Sequence, residues 1–379
     1  MKSPNSSLPV STTPASGFPH IIKITTTALI GIICLALQPT AQAATKEWIA
    51  PSSVNLGGAN NWTGASTPTS ADEVLFATVP NPILTTGNNL NWGDLVWNTN
   101  TSGTLAIASG QSSNRVLSIG SGTSGSTAAI AAGGAAGDLI VLGDNVTNGT
   151  LTISGENNGS YHLRLSIGRD GNINVKNANA TLVISADSYQ GDFALTKTGL
   201  GTLTIGTSWG SFGASKTFTI AAGTVNANHG GALGAGNVAL EGGVLTIKEG
   251  STGTLSVKAG KTFTMSAGTL SFSFANATSH DQITTDAGTG STFNITGGIL
   301  DLNNSIADYS VTYTLFKDFD SGSVANLQII NYDTANYTAS LGNNGVLSFV
   351  ANTIPEPSTW TAIIGSLVLT LALLHRRRH

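Results

Sequence analysis

The residues with the strongest claim to chemistry are glycines. Gly120-Ser121-Gly122-Thr123-Ser124-Gly125 has the G-x-G-x-x-G spacing of a dinucleotide loop and follows a strand-like Val116-Leu117-Ser118-Ile119. Such a loop works only if a helix opens behind it with its N–H groups aimed at the pyrophosphate. Here Gly133, Gly134 and Gly137 interrupt any helix, and in a chain with 46 glycines the spacing arises by chance. The other candidates are sparse. His162, His229 and His280 stand alone, without the paired spacing of a zinc site. His280-Asp281 has the makings of half a hydrolytic pair, although a solvated turn before Gln282-Ile283-Thr284 explains it as well. Asp318-Phe319-Asp320 places two carboxylates two apart and reads as a charged loop after Tyr313 to Lys317, with a weak calcium site as its alternative. Arg164, Arg169 and Asp170 are the nearest approach to the basic and acidic cluster of a polysaccharide lyase or hydrolase. None of these forms a catalytic constellation, so the reading is non-enzymatic, with no cofactor and no metal.

The elements that would position these groups are β-strands. Short runs such as Gly149-Thr150-Leu151-Thr152-Ile153, Gly201-Thr202-Leu203-Thr204-Ile205 and Gly253-Thr254-Leu255-Ser256-Val257 alternate apolar with hydroxyl side chains. Alternation of period two buries one face and wets the other. The runs recur along the chain between glycines and asparagines that turn corners, which predicts an all-β fold with a parallel β-helix or β-solenoid body. Repeats are expected over 101–269. Four tryptophans, Trp48, Trp62, Trp92 and Trp97, gather in 44–100 among prolines and suggest an N-terminal β-cap packed on aromatic rings. Trp62 and Trp92 are alternatively a glycan-stacking face. Residues 270–352, richer in Asp, Tyr and Phe, read as C-terminal closing strands.

Part of the repeat region resembles a known family. Leu195-Thr196-Lys197-Thr198-Gly199-Leu200-Gly201-Thr202-Leu203-Thr204-Ile205 is similar to the L-x-K-x-G-x-G-T-L-T-L core of the autotransporter-associated β-strand repeat, with related segments continuing to about residue 245. That resemblance implies strands of a parallel β-helix passenger over about 193–245. The family's N-T-Y-T-G step is replaced by Ser208-Trp209-Gly210-Ser211-Phe212-Gly213.

The two ends of the sequence speak about destination. Lys23, the apolar stretch 24–37 and Ala41-Gln42-Ala43 form a signal-peptide pattern over 1–43, with cleavage by signal peptidase expected before Ala44. Cleavage there removes Cys34, the only cysteine, so the exported chain has no disulfide. Between 44 and 353 there are 19 acidic and 11 basic residues. This mild acidity, without a basic stripe, argues against nucleic acid as a partner.

At the other end Ile354-Pro355-Glu356-Pro357-Ser358-Thr359 precedes an apolar run over 360–374 and Arg376-Arg377-Arg378 within 375–379. The prolines favour an extended segment open to an enzyme. The apolar run is predicted to be a single transmembrane helix, with the three arginines holding its end on the cytoplasmic side of the inner membrane. The order of parts over 353–379 resembles the PEP-CTERM sorting signal of Gram-negative bacteria. The resemblance implies that Pro355, Glu356 and Pro357 are read by an exosortase-type protease. It also implies membrane anchoring before processing, and then a place at the cell surface or in an extracellular polysaccharide matrix.

Overall fold

The computed structural model describes residues 44–78, 83–100, 102–110, 114–122, 127–155, 162–188, 191–352 and 357–377. Its body is mostly β, with long parallel sheets of the kind a solenoid makes. One sheet has 11 strands, from Thr45–Glu47 to Ser321–Val324, and a second has 10, from Ile83–Thr86 to Leu327–Ile330. A third side carries a 4-stranded sheet from Leu90–Trp92 to Asp187–Ser188 and, further along, a 3-stranded sheet of Thr254–Ser256, Gln282–Thr284 and Phe316–Lys317. The chain visits the 11-stranded sheet, the 10-stranded sheet and the third side in turn, then returns to the first one strand further on. That path is a coil.

Alternation explains why the strands stack. In the 10-stranded sheet Leu105, Leu151, Leu182, Leu203, Val225, Leu245, Leu270 and Leu300 are successive register partners and all are buried. Ile107, Ile153, Ile184, Ile205, Ala227 and Ile247 form a second inner column. Each fully buried Leu or Ile contributes about 1.5–3 kcal/mol through its removal from water. A slip of one residue would turn both columns outward, which is why the register persists. Outside, Thr104, Thr150, Thr181, Thr202 and Thr224 line up in their own column, where a branched hydroxyl side chain suits the strand and stays hydrated.

Corners are closed by amide and carboxylate side chains that cap the N–H of the next turn. Asn114 Oδ1 accepts from His162 N, Asn98 Oδ1 from Asn145 N, Asn228 Oδ1 from Glu249 N and Asp170 Oδ1 from Ala194 N. The abundance of Asn thus serves backbone satisfaction.

The coil is longer than the repeat boundaries expected from sequence. Thr45–Glu47 already pairs in parallel with Glu73–Leu75, and Glu73–Phe76 with Asp94–Trp97, so 44–100 holds the first turns of the ladder. The tryptophans fill the interior of those turns. At the other end parallel pairing continues through Ser321–Val324 and Leu327–Ile330. Closure falls to a small antiparallel sheet of Tyr313–Thr314, Tyr337–Leu341 and Val346–Ala351, with Tyr309 stacked on Tyr337 at 4.4 Å.

The last element is a helix, Pro357–Arg376. Its apolar side chains from Ile363 to Leu374 are exposed at 52–63%. Among the described residues no helix is long and apolar enough to cross a membrane. The single transmembrane helix expected over 360–374 is corrected accordingly. Fifteen residues at about 1.5 Å each reach about 22 Å, short of the roughly 30 Å hydrocarbon core. Pro357 is the first residue of this helix, where its fixed φ suits a first turn. Residues 1–43 with Ala41 and Ala43, Pro355, Glu356 and Arg378 lie outside the described residues. Ala44 is described and exposed, immediately before the first strand.

Candidate functional site

Most of the sequence candidates that fall within the described residues are already engaged. Trp62 and Trp92 are 0% exposed. They pack edge to face with each other at 6.1 Å, and Trp62 with Trp48 at 5.0 Å. No ring face is open to a sugar, so the alternative glycan-stacking face is corrected: these indoles pack on one another as the aromatic packing expected over 44–100 requires, and Trp62 Nε1 donates to Leu56 O at 2.9 Å.

Arg164, Arg169 and Asp170 do not converge. Arg164 lies on a strand of the third side, beside Asp187 in register. Arg169 crosses to Asp94 on the outer face of the 11-stranded sheet and forms a buried ion pair with it. Asp170 caps Ala194 N. Burial, opposed by Arg169, raises the Asp94 carboxyl to about 6. Above this pair the segment around the short helix Thr127–Ala131 folds back on the sheet, burying Ala129 and Ala132 against Val96 and Val141. The Glu73 carboxylate accepts Ala128 N at 2.7 Å and Ala129 N at 2.6 Å. The helix that would have held a pyrophosphate is five residues long, and an internal carboxylate already occupies its first N–H groups. Gly120 and Gly122 are turn residues before it; Gly125 lies outside the described residues.

His280-Asp281 is not a solvated turn. An antiparallel bridge from Phe274 to His280 folds the segment over the core. His280 stacks with Phe274 at 5.8 Å and meets Tyr313 edge-on at 5.4 Å. Asp281 is 0% exposed and accepts Gly253 N at 2.6 Å and Ser273 N at 2.7 Å. Burial pushes its carboxyl up to about 7 against those two hydrogen bonds. The carboxylate binds backbone and leaves the imidazole alone, so no hydrolytic pair forms. Asp320 likewise caps Gly288 N and Gly290 N. Among the described residues no group of three or more His, Cys, Asp or Glu could hold a metal ion.

The repeat core contains a feature that sequence reasoning passed over. Lys197 is 0% exposed and sits in the inner column between Ile173 and Ile220. Its ammonium donates to Thr198 O at 2.7 Å, Gly199 O at 3.0 Å and Ala222 O at 3.2 Å. Desolvation lowers its pKa to about 7. The following glycines make the cradle: Gly199 and Gly223 hold φ of +72° and +67°, and a Cβ on Gly223 would lie 2.7 Å from Nζ. The signal was present, since residue 197 is in phase with buried Leu195 and out of phase with Thr196 and Thr198. At the next corner Trp209 and Phe212 are buried and pack edge to face at 5.5 Å.

The geometry defines a parallel β-coil with a hydroxyl-rich and amide-rich exterior. No family model matches the chain, and no curated protein matches it.

Proposed function

We propose that the chain is an exported, non-enzymatic structural or adhesive protein of the cell surface or extracellular matrix, with signal peptidase and an exosortase-type protease as its processing partners. In this reading the tail helix, which does not itself span, rests its exposed apolar side chains from Ile363 to Leu374 on the membrane, with Arg376 and Arg377 at its end, until the Pro355-Glu356-Pro357 segment is processed. The body then associates with extracellular polysaccharide. One observation carries the reading: register-matched ladders run from Thr45 to Ile330, with Thr, Ser and Asn outside. A long regular surface of hydroxyls and amides suits repeated weak contacts with hydrated polymers better than a single turnover site. The charged residues that would serve catalysis are spent on structure, Arg169 on Asp94 and Asp281 on two backbone N–H groups.

The test is intact-mass analysis of the protein recovered from membrane, surface and medium fractions. Surface and medium forms lacking the residues after the Pro-Glu-Pro segment, and starting at Ala44, are the expected result. A full-length C-terminus confined to the membrane fraction overturns the reading.

A further inference from the structure

The third side of the coil is interrupted midway. Its 4-stranded sheet ends at Asp187–Ser188 and its 3-stranded sheet begins at Thr254–Ser256; the turns between them cross that side as loops. At the break lies an open groove of about 380 Å³, walled by Asn228, His229 and Lys248 and floored by Gly230, Gly253 and Thr254.

The glycine at 253 leaves room on this floor for the Lys248 stem. A Cβ on Gly253 would lie 2.5 Å from the Lys248 Cβ and 2.9 Å from its Cδ, so glycine lets the lysine stem lie flat on the backbone. The walls present donors. His229 Nδ1 accepts Gly231 N–H at 3.0 Å, which places the imidazole proton on Nε2 and makes that exposed atom a donor. Asn228 spends its Oδ1 on Glu249 N–H at 2.9 Å, leaving its amide N–H₂. Lys248 adds an exposed ammonium. Of the nearby carboxylates, Glu249 accepts Asn226 Nδ2 at 2.8 Å, and Asp281, within reach of the Lys248 charge, accepts Gly253 and Ser273 N–H.

Lys248 also holds φ at +47°. That conformation is free to glycine and strained for a lysine. Strained backbone tends to collect at functional positions, and a lysine standing where glycine would fold more easily calls for a use of its charge.

We infer that the groove binds the carboxylate-bearing sugar units of an acidic polysaccharide. A pyranose ring lies across Gly230, Thr254 and the Lys248 stem, its carboxylate takes the Lys248 ammonium and His229 Nε2–H, and a hydroxyl accepts from the Asn228 amide. The inference rests on the matrix-associated reading above and names its ligand.

The full chain is titrated calorimetrically with oligogalacturonate and with a neutral gluco-oligosaccharide of equal length. Oligogalacturonate is expected to bind and the neutral oligomer to bind at least tenfold more weakly. Lys248→Gly should weaken binding at least tenfold while raising the melting temperature, because it removes charge and strain together. Should that variant melt lower, Lys248→Asn, which also tolerates the left-handed conformation, replaces it. No binding of oligogalacturonate, equal binding of the neutral oligomer, or undiminished binding by the folded variant overturns the inference. The fractionation experiment is independent of the groove. Normal processing with unchanged oligogalacturonate binding in Lys248→Gly removes the site and leaves the surface reading; a membrane-confined full-length chain that binds oligogalacturonate does the reverse.

Discussion

The Lys197 ammonium occupies the space that a side chain at Gly223 would fill, with Nζ 2.7 Å from the ideal Cβ position. Lysine and glycine sit one coil turn apart in this arrangement, which makes the pair a tie between turns. The absence of a Cβ at 223 is therefore as much a part of the cradle as the three carbonyls.

Gly223→Ala should be among the more damaging single methyl additions in the chain. The new Cβ would meet Gly199 O and Gly201 O at 2.4 Å in addition to Nζ, at a φ of +67°. A loss of about 2–4 kcal/mol is expected, combining strain with overpacking. Gly250→Ala, at φ +76° with nothing within 4 Å, isolates the backbone cost of about 1 kcal/mol. Urea denaturation of both variants measures the difference.

Lys197 should tilt stability with pH. Its folded pKa is lowered to about 7 from 10.5, so between those values the unfolded chain binds more protons and stability rises with pH. The slope is at most about 1.4 kcal/mol per pH unit for one group. Lys197→Met should abolish that slope. Its cost should be largest at the top of the range, near pH 10, about 1–3 kcal/mol from carbonyls left without a donor, and smallest near pH 6, where wild type bears the buried charge. Denaturation series from pH 6 to 10 read this directly.

Asp94 slopes the other way. Its folded pKa is raised to about 6 from 3.8, so stability falls as pH rises across that interval. Removing Arg169 takes away the charge that holds the value down and carries the fall to higher pH. Arg169→Met should therefore lose about 3–5 kcal/mol at pH 8 and markedly less at pH 5, measured by thermal and chemical denaturation at both values.

The tryptophans separate packing from recognition. Trp62→Ala and Trp92→Ala should each lose about 3–5 kcal/mol through the cavity left behind. Their folded fraction should retain polysaccharide as well as wild type at equal folded concentration. Selective loss of retention in a fully folded variant would restore a sugar-binding role to these rings.

The strands and their inner columns were legible because alternation is local: Thr202-Leu203-Thr204-Ile205 announces its own faces. Lys197 was legible in the same way and was missed only because lysine is rarely buried. The aromatic packing of the tryptophans was legible from their clustering in 44–100, but which rings meet was not, since Trp48 and Trp62 lie among turns and prolines where no alternation applies and their contacts depend on rings arriving from different turns. His280-Asp281 failed for a similar reason. What buries it is a bridge to Phe274 and contact with Tyr313, both tertiary facts. Asp94 and Arg169 are joined only because the coil returns to the same face.

The uneven third side sets how this molecule can change in length. Phe218 pairs with Val238 across a short turn and Phe263 with Phe293 across a longer one, yet the two long sheets keep their register through both. Extra residues are absorbed as loops on one side, leaving the stacking faces congruent. Duplicating or deleting one whole turn would then shift the distance between the two ends by about 4.8 Å, the spacing of neighbouring strands. The body is in that sense a ruler with replaceable graduations, whose span evolution or an engineer can set without redesigning a core.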